Sequence, residues 1–340
     1  MGGWANPVLC HLELYIFPRQ GNVCLCQSVA RKIKGGGPQG ATIGLLEYLS
    51  QSNNCADIVS ESERFRFLDD LSILEIVNLL TVGITSFNLK QQVPSDIPLH
   101  NQYIPPEHLE SQKWLNEIND WTQNQKMMIN EKKSKTIIFN YTKNYQFTTR
   151  LTINDKPLEV IDSTRLLGTI LTNDLKWESN CAQIVKKANA RMEILRKVAS
   201  FGTDTEDLKT IYCLYIRSLL EHSATVWHSS LTEENKNDLE RVQKSALKII
   251  LNEKYKTYKN ALEILQIDSL SVRREKLCLN FAIKAEKHPR FKHMFPKNDK
   301  THKMGTRKTE KFKVQHAHTD RLKDSSIIFM QNLLNKQDED

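Results

Sequence analysis

Apolar positions change their period several times along the 340-residue chain. Alternation around Leu12 to Phe17 and Val23 to Val29 predicts two short strands. Gly35-Gly36-Gly37-Pro38-Gln39-Gly40 predicts a turn, because glycine costs a helix or strand about 1 kcal/mol per residue, and a helical pattern follows from Ala41 to Gln51. The next stretch reads two ways. Phe65 and Phe67 before Asp69-Asp70, and Leu71 and Ile73 after it, fit a hairpin with the acidic pair at its turn. Ser72-Ile73-Leu74-Glu75 also fits a capping box leading into Ile76, Val77, Leu79 and Leu80, which would make the pair the start of a helix. From Leu89 to Pro106 four prolines predict a loop.

Helical spacing returns over Ser111 to Met127, with Trp114, Leu115, Ile118 and Trp121 on one face. Strands are predicted at Lys135–Asn140, Leu151–Ile153, Leu158–Ile161 and Leu166–Leu171. After Trp177 the character changes, and Asn180–Ser200, Asp207–His228 and Glu233–Leu251 read as three amphipathic helices. Ser325 to Leu334 predicts a final helix. The pattern gives an α+β class, with a mixed unit passing into a helical one near residue 172, and no internal repeat.

Composition adds the direction of the charge. The chain is 39% hydrophobic and 26% charged, with a net charge of +8 and a pI near 9.0, which favours an anionic partner. The excess concentrates between Lys284 and Lys323, where thirteen Lys or Arg face four Asp or Glu. Seven cysteines, Cys10, Cys24, Cys26, Cys55, Cys181, Cys213 and Cys278, show neither metal-ligand spacing nor an even count, so they are expected to be reduced thiols of an intracellular protein, cytoplasmic or nuclear. No apolar run approaches the ~20 residues that span a bilayer, and the first thirty residues lack the order of a signal peptide.

The candidate chemistry begins with Asp69 and Asp70. Two unit charges about 4 Å apart repel by roughly 4 kcal/mol at the effective dielectric of a protein surface, so adjacent carboxylates call for a compensating cation. Four motifs then occur in order: Gly35-Gly-Gly-Pro-Gln-Gly40, Phe67-Leu-Asp-Asp70, Ile129-Asn130 with Lys133, and Leu166-Leu-Gly168. The series resembles the reverse transcriptases of non-LTR (LINE-type, jockey-like) retrotransposons, from about residue 12 to the C-terminus. Arg217-Ser218, Val226-Trp227 and Glu240-Arg241-Val242-Gln243 extend the likeness into the helical region.

The resemblance implies a partial reverse-transcriptase palm, an antiparallel sheet with helices, over residues 1–171, a helical thumb over 172–265 and a basic C-terminal extension over 266–340. It implies RNA-directed DNA synthesis by two Mg²⁺ ions, with an RNA template, a DNA primer and deoxynucleotides as partners. It does not imply a membrane or a defined protein partner. Asp69 would be the direct metal ligand and Asp70 a weaker one, since hard Mg²⁺ takes few carboxylate oxygens. Lys133 would protonate or neutralise the leaving pyrophosphate, or else serve as a surface lysine beside Lys132 and Lys135. Gly37, Pro38, Gln39 and Gly40 would line the template and incoming nucleotide. Trp227 is expected in the core of the thumb, and Trp114 and Trp121 in packing.

One departure bears on activity. The family places a third carboxylate well upstream of the Pro-Gln-Gly turn, whereas the only acidic residue before Gly35 here is Glu13. The fingers and first half of the palm are therefore expected to be missing, and the polypeptide alone to be inactive. The alternative is a non-catalytic nucleic-acid-binding module in which Asp69 and Asp70 are relics.

Overall fold

The computed structural model describes residues 8–18, 64–67, 70–77, 109–125, 127–140, 149–298, 311–317 and 319–337. The chain divides into two compact units, one of residues 1–164 with 172–175 and the other of 165–171 with 176–340.

The first unit is built on β1 (Val8–Pro18), β2 (Arg64–Phe67), β3 (Asp70–Val77), β4 (Met127–Ile129), β5 (Lys135–Asn140) and β8 (Glu159–Val160). The sheet order is β2-β3-β1-β5-β8, with β4 also on β1, and every pairing is antiparallel except β5 with β8. β1 is long enough to carry several partners. Its residues run Val8↔Val77 to Tyr15↔Asp70 against β3, Val8↔Asn140 to Glu13↔Lys135 against β5, and Ile16↔Ile129 to Pro18↔Met127 against β4.

The two readings of residues 65 to 80 resolve here. β3 is a strand from Asp70 to Val77, so the helix start at Ser72 does not form. Isoleucine, leucine and valine dominate the run, and branched chains fit a pleated surface better than a helix.

Helix α1 (Glu110–Asn124) buries Leu115 and Ile118 completely, while Trp114 and Trp121 are half-buried. The buried face is shared with Ser111, Gln112 and Thr122, and Gln112 has a reason to be there. Its Oε1 accepts the Thr152 N–H at 2.8 Å and its Nε2 donates to the Thr152 carbonyl at 2.9 Å. The side chain thus stands in for a strand partner along β6 (Thr152–Ile153), which forms a small hairpin with β7 (Lys156–Pro157). Asn154 and Asp155 supply the positive φ that a two-residue turn needs.

The second unit is helical: α2 (Glu178–Ser200), α3 (Thr205–Ile211), α4 (Ser218–Glu221), α5 (Ala224–Trp227), α6 (Glu233–Leu251), α7 (Tyr258–Leu265), α8 (Leu270–Lys287), α9 (Asp320–Lys323) and α10 (Ser326–Gln337). Asp204, Thr232, Thr257, Ser269 and Thr319 cap their helices by accepting a backbone N–H, the usual work of short polar side chains there.

Asp207–His228, expected as one helix, is broken. Tyr212–Arg217 forms a π-helix and the chain turns at Ser223, whose φ is +53°. The Trp227 indole N–H clamps the break by donating to the His222 carbonyl at 3.0 Å. Trp227 is fully buried, with Met192, Leu195, Ile216, Leu220 and Leu247 in the same core. A smaller core joins Cys278, Ala282 and Ala285 of α8 to Phe295, Phe312, Met330 and Leu334. No helix among the described residues is long and apolar enough to cross a membrane.

Candidate active site

Asp70 follows a tight connection between two strands. β2 and β3 pair antiparallel with Arg64↔Ile73 and Phe67↔Asp70, which leaves only Leu68 and Asp69 between paired positions, the shortest connection a hairpin favours. Asp70 therefore opens β3, and it stands opposite Tyr15 of β1, with Glu13 opposite Ser72. Asp69 and the Gly37-Pro38-Gln39-Gly40 turn lie outside the described residues. Among the described residues no three His, Cys, Asp or Glu side chains stand together as a metal site, so those residues alone do not make the Mg²⁺ centre that the resemblance implies.

Lys133 lies in the turn between β4 and β5. Asn130 shapes that turn: its Oδ1 accepts the Lys133 N–H at 3.2 Å, and its carbonyl accepts the Ser134 N–H and hydroxyl, both at 2.9 Å. Asparagine is favoured here because its side chain mimics the backbone of a turn. The Lys133 side chain is exposed. Next to it, Glu131 is held by Asn154 Nδ2 at 2.9 Å and Lys156 Nζ at 2.7 Å, hydrogen bonds that lower its pKa.

The Leu166-Leu-Gly168 motif also acquires a physical meaning. β9 (Ser163–Leu166) and β10 (Thr169–Thr172) form a hairpin whose turn residues, Leu167 and Gly168, have φ of +45° and +91°. His222 Nε2 lies 3.0 Å from where a Cβ on Gly168 would stand and 3.1 Å from the Leu167 carbonyl. Glycine is required twice, by the backbone and by the approach of the imidazole.

In the helical unit the Glu240-Arg241-Val242-Gln243 run carries a buried polar network. Gln243, fully buried, accepts from the Tyr212 hydroxyl at 2.6 Å and donates to the Tyr258 hydroxyl at 2.9 Å and the Asp268 carbonyl at 3.0 Å. Glu240 accepts from the Tyr258 hydroxyl and from the Leu270 N–H. Burial raises the pKa of both tyrosines, so they remain donors. Arg217 joins an ion-pair group in the same unit: Glu221 lies between Arg217 and Arg273, and takes two hydrogen bonds from Arg273, while the Ser218 hydroxyl donates to the Leu214 carbonyl at 2.7 Å.

Beside Trp227, Arg274 is fully buried, donating Nε–H to His228 Nδ1 at 3.2 Å, and its two terminal nitrogens find no acceptor among the described residues. Burial lowers the His228 pKa to about 4, and the Arg274 charge pushes the same way, so the imidazole accepts as a neutral ring.

His222, Gln243, Arg274 and the paired glutamate Glu221 escape a reading by periodicity, because each is a polar residue with a partner remote in sequence. Arg274 and Gln243 carried the one available signal, a polar side chain at a position whose helical neighbours are apolar. No family model and no curated protein matches this chain.

Proposed function

We propose that the chain derives from an RNA-directed DNA polymerase of the non-LTR retrotransposon type. On this reading the sheet-bearing unit corresponds to the later part of the palm, and the helical unit corresponds to a thumb that holds nucleic acid. The observation that carries the reading is the Phe67↔Asp70 pairing. It makes Asp70 the first residue of a strand directly after a two-residue connection, a place from which adjacent carboxylates would meet a phosphate-bound cation. A helix start would have given them a local electrostatic role instead. The ordered motifs add support, since Asn130 with Lys133 and Leu167-Gly168 both occupy turns beside strands.

In such a site Mg²⁺ would activate the primer hydroxyl and steady the pyrophosphate. What this chain itself offers is a position for Asp69 and Asp70, an exposed Lys133 and a positively charged helical unit. The first test is binding of a labelled RNA–DNA hybrid. Affinity should weaken roughly 10- to 100-fold between about 50 and 200 mM salt, as counterion release from a few phosphates requires. Equal affinity at both concentrations, or no binding at either, overturns the proposal. Primer extension separates a catalytic chain from a binding module. No extension is expected, because the motif series supplies only Asp69 and Asp70, and extension that vanishes in Asp69→Asn would place a complete site within these residues.

A further inference from the structure

The cations of the helical unit fall into two kinds. Lys209, Lys236, Arg241 and Lys276 each pair with a carboxylate, of Glu206, Glu233, Asp238 and Asp268 in turn. From Gln243 onward along α6 and into α7 that pattern stops. Between residues 244 and 259 there are five lysines, Lys244, Lys248, Lys254, Lys256 and Lys259, against one acid, Glu253. All five lysines are exposed. No carboxylate among the described residues pairs with any of them, Glu253 included.

Two tyrosines organise this cluster. Lys244 Nζ lies 5.2 Å from the centre of the Tyr258 ring and Lys248 Nζ 5.6 Å from that of Tyr255. Lys244 and Lys248 are one helical turn apart, about 6 Å along the axis, so they form a ladder of two ammoniums, each held over an aromatic face. The rings are themselves fixed. Both tyrosines are half-buried, and the Tyr258 hydroxyl is engaged by Glu240 and Gln243. Lys254 and Lys256 flank Tyr255 in the chain, and Lys256 and Lys259 flank the Thr257 cap and Tyr258. An ammonium above a ring has lost conformational freedom but keeps its donors for an outside acceptor. A surface with five exposed ammoniums, two of them held in this way, and almost no acid is complementary to a run of phosphates.

We infer that the α6–α7 surface around Tyr255 and Tyr258 is a nucleic-acid backbone site, with Lys244, Lys248, Lys254, Lys256 and Lys259 as the phosphate contacts. This rests on the reading of the helical unit as a nucleic-acid holder and localises its grip. The tyrosines act as supports for the lysines, so recognition is by charge and not by base. The site is separate from the basic stretch between Lys284 and Lys323 that composition alone singles out.

The test uses the full chain and a labelled single-stranded RNA homopolymer, with Kd measured over a range of salt. Lys244→Gln with Lys248→Gln should lower the salt slope by about 1.4 to 1.8, and all five Lys→Gln changes by about 3.5 to 4.5, at roughly 0.7 to 0.9 per phosphate contact. Lys244→Arg with Lys248→Arg should restore the slope. Lys284→Gln with Lys287→Gln, an equal loss of charge on exposed lysines elsewhere, should change it by less than half as much. Melting temperatures establish that each variant is folded.

If RNA binds but the five-lysine variant keeps the wild-type slope, or the control pair matters as much, the site is overturned while the nucleic-acid reading stands. If no RNA binds to the wild type, that reading fails first. Vesicles with anionic lipid serve as a third arm. Lysine-dependent binding to vesicles without RNA binding would assign the surface to a membrane and overturn the proposal.

Discussion

Gln112 of the sheet-bearing unit and Gln243 of the helical unit are both buried, and the two are used differently. Gln112 in the sheet-bearing unit bonds the backbone N–H and carbonyl of one residue, Thr152, and the Asn116 side chain one turn along its own helix. Gln243 in the helical unit connects Tyr212, Tyr258 and Asp268, side chains and backbone from four segments. The first substitutes for a missing strand and serves a local hairpin. The second fixes the mutual position of helices, so its loss propagates. The helical unit is thus specified by buried polar contacts that tolerate little change, and the sheet-bearing unit by backbone pairing and turn chemistry.

The largest expected effect concerns the buried cation beside that network. His228 is neutral in the fold, with a pKa near 4 against about 6.5 when unfolded. Between those values the unfolded chain binds the extra proton, so stability is complete above about pH 6.5 and falls as pH drops toward 4. The loss amounts to about 3 kcal/mol from this group. Chemical denaturation from pH 7 to 4 measures it, and a His228→Asn variant should lose markedly less over the same range. An unchanged pH profile in that variant would remove the assignment.

Next in size are the glutamines themselves. Gln243→Leu leaves the buried Tyr212 hydroxyl without its acceptor and should cost about 2 kcal/mol, whereas Gln112→Leu, beside half-buried Thr152 that water can reach, should cost about 1 kcal/mol. Adding Tyr212→Phe to Gln243→Leu should recover part of the loss, because both partners are then apolar. Equal costs for the two single variants would erase the contrast between the units.

Gly168→Ala should destabilise by about 1 kcal/mol through its φ of +91°, with a further small cost from His222. Combining it with His222→Ala should remove the second part and leave the first, a double-mutant cycle read by thermal melting. The smallest effect belongs to the acidic turn. In EDTA, Asp70→Asn should raise stability by ~0.5 kcal/mol by relieving the repulsion between adjacent carboxylates. A decrease would argue that the carboxylate has a partner in the fold, and a large Mg²⁺-dependent stabilisation of the wild type would mean a fuller metal site than the described residues provide.

Much of the fold could be read from periodicity. The strand at Lys135–Asn140, the helices Asn180–Ser200 and Glu233–Leu251, and the final helix all appear near their expected places, whereas Leu166–Leu171, expected as one strand, is broken by the hairpin turn at Leu167 and Gly168. Asp207–His228 did not read correctly, because the apolar repeat runs on through a π-helix and a left-handed Ser223 that only the Trp227–His222 contact explains. Nothing in the basic stretch between Lys284 and Lys323 marks Phe295 and Phe312 as core, yet both are buried in the smaller core, where a bridge between Lys297 and Phe312 joins their segments. Of the candidate site, the alternation of Phe65, Phe67, Leu71 and Ile73 made the hairpin legible, while the competing capping pattern could be rejected only from the pairing. The role of Gly168 was hidden, since His222 lies more than fifty residues away in sequence.

The most direct measurement of the central claim is the affinity of the full chain for an RNA–DNA primer–template in EDTA, for the wild type and for Asp69→Asn with Asp70→Asn. If the hairpin faces nucleic acid, its two carboxylates repel the phosphates when no cation is present. The double variant should then bind roughly 3- to 10-fold more tightly, the equivalent of about 1 kcal/mol. A charge-neutral change further along the same strand, Ser72→Ala, should have no effect. Indistinguishable affinities for the wild type and the double variant, in a chain that does bind the duplex, would contradict the account by placing the acidic turn away from the nucleic acid.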